Sequence, residues 1–142
     1  KQAEHNFGLV WPDLTPKPAY YAIDDVTATL AGAALIERRA TADDDDWILR
    51  FRDAAGQEFW AVWTAKADML ARFNLATLSE NPKLLAMHEV GRPPVNRSWV
   101  RGGHGTSLLT VTAGDTPVLL QGDLIDISVA SVEHQEYPSD RR

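Results

Sequence analysis

No cysteine occurs in the 142-residue sequence, which excludes disulfides and thiolate metal sites. A chain of this length can bury a core without such staples, so the missing cysteines leave the compartment open. There is also no apolar run near the roughly 20 residues that span a bilayer as a helix. Nor does a basic stretch lead into an apolar one at the start. The expectation is a protein that works in water, with no membrane partner. Positive charge is scarce: 14 Lys and Arg stand against 20 Asp and Glu, a formal net charge of -6. The closest basic grouping, Arg92, Arg97 and Arg101, lies among turn residues, so no nucleic-acid partner is expected. Position 1 is Lys rather than Met, which reads as a processed product, an engineered chain or a fragment whose upstream part is missing. Export of such a parent, to the periplasm or beyond, is compatible with this sequence.

What is there is an ordinary globular composition, 44% hydrophobic and 24% charged, which suffices for one packed domain. The first apolar stretch, Phe7-Gly8-Leu9-Val10-Trp11, is cut by the turn signal Pro12-Asp13 and reads as a connector. Thr15-Pro16 then offers a helix start, with the hydroxyl as N-cap and proline at the first helical position. Ala19, Ile23, Val26, Leu30 and Ala33 recur at helical spacing, predicting one amphipathic helix over 16–33.

Beyond residue 34 the period falls to two, with turn residues every eight to twelve positions or so. Strands are expected at 35–39, around Trp47, Leu49 and Phe51, and at 58–64, 71–77, 84–90, 98–101, 106–112, 117–121 and 124–129. The fold class is therefore mainly β: an antiparallel two-sheet β-sandwich of seven to nine strands preceded by one amphipathic helix. This divides the chain into a connector and helix at 1–33, a sandwich at 34–134 and a frayed polar tail at 135–142.

The phrase Asn6-Phe7-Gly8-Leu9-Val10, a turn, and Thr15-Pro16-Lys17-Pro18-Ala19-Tyr20-Tyr21-Ala22 resembles the end of the catalytic barrel in clan A glycoside hydrolases. There a phenylalanine-glycine-leucine stretch and a turn precede a lysine-proline-alanine-tyrosine helix, the last of the (β/α) barrel. Two further stretches, Phe59-Trp60-Ala61-Val62-Trp63-Thr64 and Asp115-Thr116-Pro117-Val118-Leu119-Leu120, are similar, less specifically, to strands of the β-sandwich that follows the barrel in several families of that clan. The resemblance implies a C-terminal accessory region whose partner is the barrel upstream in the same polypeptide. The two catalytic glutamates of such barrels, at the ends of strands four and seven, would precede Lys1. No catalytic residue is thus assigned here, and the chain alone is not expected to be an enzyme or to need a cofactor.

Other candidates compete with plainer readings. Trp60 and Trp63 fall on opposite faces of a regular strand, so one apolar face must lie under the helix, against a barrel, or open as a sugar-stacking platform. Both are therefore candidate carbohydrate-binding residues, with polysaccharide as the partner and a carbohydrate-binding module as the alternative function. A stand-alone interaction domain is a further alternative. The run Asp43-Asp44-Asp45-Asp46 lacks the spacing of a calcium loop and reads as a solvated turn. His5, His88, His104 and His134 show no metal-ligand spacing, and no metal site is expected. Ser107, His104 and Asp115 could form a triad only on paper, without a nucleophile elbow. Gly102-Gly103-His104-Gly105 reads as a turn, since no helix pattern follows it.

Overall fold

The structure is a computed structural model that describes residues 8–124 and 126–138. Phe7 of the connector, His5 and the end of the expected tail lie outside the described residues.

Helix α1 runs over Pro18–Leu30, two residues later than the sequence suggests. Thr15 and Lys17 each precede a proline, whose ring pushes the preceding residue out of the α region. Lys17 accordingly sits at ψ 162° as the N-cap, and the Thr15 hydroxyl donates to Asp13 Oδ1 at 2.6 Å instead of capping the helix. The connector folds back on this start: Val10 bridges Pro16, and Lys17 N–H donates to Leu9 O. At the other end Gly32, at φ +70°, takes the left-handed conformation that stops the helix before Ala33.

Among the described residues ten antiparallel strands follow: β1 (Ala34–Arg38), β2 (Asp46–Arg52), β3 (Glu58–Thr64), β4 (Met69–Thr77), β5 (Leu85–Glu89), β6 (Val95–Arg97), β7 (Val100–Arg101), β8 (Ser107–Ala113), β9 (Val118–Gln121) and β10 (Ile127–Glu136). They form two sheets, of order β1-β2-β3-β9-β5-β6 and β10-β4-β8-β7. The chain is therefore mainly β, two antiparallel sheets preceded by one helix.

Two departures from the expected strands have local causes. The segment 98–101 is no single strand, because the chain changes sheets there: β6 pairs with β5, and β7 pairs with β8. Trp99 marks the crossing, packed on the core with its indole N–H donating to Lys83 O at 2.9 Å. Strand β10 is longer and later than expected because a bulge between Val129 and Ser131 shifts its phase. Alternation read through 130–131 breaks, yet Ile127 and Val129 before the bulge and Val132 and His134 after it share the inward side. Gln135 and Glu136, expected in the tail, pair with Leu70 and Met69.

Between the sheets lie Ile48, Trp60, Val62 and Leu120 from one side and Phe73, Leu75 and Val111 from the other, all at most 1% exposed. Trp60 alone, with about 150–250 Å² of apolar surface, contributes roughly 4–6 kcal/mol of gross hydrophobic stabilisation. Register turns Phe59, Ala61 and Leu119 toward the opposite, outer face of the six-stranded sheet. They too are buried, at 1%, 6% and 5% exposure.

Candidate functional site

Helix α1 meets that outer face at His88, which lies opposite Leu119 in the β5–β9 register. Asp25 reaches His88 Nε2 on β5 at 3.1 Å with both carboxylate oxygens and accepts the Gly91 N–H at 2.9 Å. Ala22 lies against Gly91, and Gly32 past the helix end lies near Ala54 in the β2–β3 turn. The sheet-facing side is thus Ala22, Asp25 and Thr29, half-buried at i, i+3 and i+7. The apolar stripe turns outward instead: Tyr20, Tyr21, Ile23, Val26 and Leu30 are all exposed, Ile23 by 51%. Leu9, Trp11 and Leu14 of the connector, tied to the helix start, are exposed as well. An amphipathic helix normally buries its apolar stripe, and this one presents it.

The two tryptophans proposed from sequence separate. Trp60 is 1% exposed in the core, with the Arg39 guanidinium 4.5 Å from its ring centroid, and has no ring face open to a sugar. Trp63 is half-buried and stacks on Trp47, with centroids 5.5 Å apart and planes 2° from parallel. Register explains the pair, since Trp47 and Trp63 are directly opposite on β2 and β3. Arg38 comes from β1, on the other side of β2, and sits 3.4 Å from the Trp47 centroid. Trp47 is thereby sandwiched between Arg38 and Trp63, and the rings stack on each other instead of lying side by side as a platform. Phe51 and Phe59 repeat the stacking four residues along the two strands, with centroids 5.1 Å apart.

A third constellation was not legible as a site. Asp43, Asp46 and His134 bring one ligand atom each within 4.8 Å of one another. Asp46 opens β2 on the inward side, in register with Ile48, and is 1% exposed. His134 approaches from β10 in the other sheet, its Nε2 2.8 Å from Asp46 Oδ1. Asp46 Oδ2 is buried and has no hydrogen-bond partner among the described residues. The turn before β2 is well ordered by its own bonds: Asp45 N–H donates to Asp43 Oδ1, Asp46 N–H to Asp43 O, and the Thr41 hydroxyl to Asp43 O. Lys66 Nζ stands 2.7 Å from Asp43 Oδ2, and this bond holds the Asp43 carboxyl below its ordinary range and the Lys66 ammonium above its own. A groove of about 530 Å³, lined by Thr41, Asp43, Val129, Val132 and His134 among others, leads to the cluster.

The acidic run is therefore more than a solvated turn at its last member, while Asp44 and Asp45 are exposed. The remaining candidates do not assemble. Ser107 is the first residue of β8 and Asp115 lies past its last, with the strand between them roughly 20 Å long, so no triad forms with His104. Arg92, Arg97 and Arg101 are exposed on separate segments. No family model and no curated protein matches this sequence.

Proposed function

We propose that this chain is the non-catalytic C-terminal accessory region of a glycoside hydrolase resembling clan A, and that it buttresses the catalytic barrel. The observation that carries the reading is the outward apolar stripe of α1, flanked by Leu9, Trp11 and Leu14. In a barrel enzyme the last helix packs on the barrel wall, and a helix held to the sandwich by Asp25 leaves that stripe free to do so. Burying the part of each large side chain that is still exposed adds roughly 1 kcal/mol apiece. The resemblance of the segment from Asn6 to Ala22 to the final barrel phrase supports the same partner. The carbohydrate-binding alternative has less support, because Trp60 is core and Trp63 is stacked against Trp47.

The test is the reading frame upstream of the Lys1 codon. A frame continuing on the order of 300 residues, with alternating strands and helices and a glutamate at the ends of the fourth and seventh strands, is the expected result. A start codon within a few residues of Lys1 contradicts the proposal.

A further inference from the structure

We infer that Asp43, Asp46 and His134 form a binding site for one divalent transition-metal ion of the zinc class, joining the two sheets where β10 faces the start of β2. This inference is independent of the barrel. Its starting point is Asp46 Oδ2, a carboxylate oxygen in a residue only 1% exposed and without a donor among the described residues. A buried polar atom left unpaired costs about 1–3 kcal/mol, and more when charged, so the atom calls for a positive partner. His134 satisfies only Oδ1, at 2.8 Å.

The donor set decides the class of ion. Calcium and magnesium take oxygen ligands, whereas an imidazole beside carboxylates, with no cysteine in the chain, suits zinc and its first-row neighbours. Three ligand atoms within 4.8 Å are slightly wider than the roughly 3.3–3.6 Å that tetrahedral bonds of 2.0–2.2 Å imply. Asp43 sits in the turn ahead of β2, on the residue best placed to close that difference. On binding, the ion takes the place between His134 Nε2 and Asp46 Oδ1, and the neutral imidazole carries its proton on Nδ1. Lys66, which balances Asp43 in the ion-free cluster, still has Asp45 Oδ2 within 3.9 Å when Asp43 turns to the metal. The groove gives the ion a path from solvent and space for the water that completes four-coordination.

The probe is zinc chloride added to the chelator-treated 142-residue chain, followed by calorimetry and thermal unfolding. One equivalent is expected to bind saturably and to raise Tm, because an ion that binds only the folded state stabilises it. Calcium chloride at the same concentrations is expected to leave Tm unchanged. His134→Gln and Asp43→Asn both keep the apolar core intact, and each is expected to weaken zinc binding by about tenfold or more. The inference is overturned if zinc gives neither heat nor a Tm shift, if both variants bind zinc as the parent does, or if calcium matches zinc.

Discussion

On the inner face of the six-stranded sheet Ile48, Trp60, Val62 and Leu120 are at most 1% exposed, whereas on the helix that meets its outer face at His88 Tyr21 and Ile23 remain about half exposed, at 52% and 51%. Both regions are rich in large apolar side chains, so composition does not separate them. Closure does: the inner face meets a second sheet, and the outer layer ends on a helix whose small and polar side faces inward. The difference teaches that hydrophobic periodicity identifies a face to be buried without saying by what. The inner region is a completed core, and the helix stripe is an exposed apolar face.

The largest effect that would sharpen this contrast is at Trp60. Trp60→Ala should cost about 3–5 kcal/mol of folding stability in urea unfolding, as expected for an aromatic core truncation. Next comes Asp25, which fastens the helix through His88 and Gly91. Asp25→Ala should cost about 1–3 kcal/mol and, more tellingly, speed amide exchange across Pro18–Leu30 far more than across β3 or β4. Equal loss of protection in helix and sandwich would mean that the two regions do not differ as described.

A smaller effect concerns the rim of the closed core, where Glu58 accepts from Arg50 at 2.6 Å and from Arg52 at 3.0 Å. The Arg50 bond chiefly holds the Glu58 carboxyl below its ordinary 4.5. A group depressed in the folded state stabilises above its unfolded value and loses that contribution as pH falls through the lower folded one. Glu58→Gln should therefore flatten the fall in urea midpoint between about pH 5 and pH 3, and an unchanged profile would remove the ion pair from the account. Smallest of all should be Ile23→Ser in the isolated chain, within about 0.5 kcal/mol of the parent, because the side chain is already half in water.

Much of the fold was legible because strands announce themselves by period two: β3 appears over the residues expected, and most other strands lie within two residues of expectation. What was hidden is instructive. The helix start was displaced by the restriction that Pro18 places on Lys17, which a capping rule applied to Thr15 overlooks. The extent of β10 was hidden by a bulge, since an extra residue reverses the phase on which alternation is read. The metal cluster was illegible because its two halves, Asp46 and His134, are 88 positions apart and meet only through sheet packing. One signal existed: Asp46 shares its strand face with Ile48, so choosing that face as the core makes a buried acid inevitable. Alternation left the choice open, as Trp47, Leu49 and Phe51 made the other face look at least as apolar.

The central claim, that the helix stripe is an interface with an upstream barrel, is tested most directly by a single thiol. The chain has no cysteine, so Ile23→Cys introduces one reporter in it. The account predicts rapid thiol labelling in the isolated 142-residue chain and strong protection when the same substitution is carried in the complete polypeptide. Equal labelling in both would contradict it.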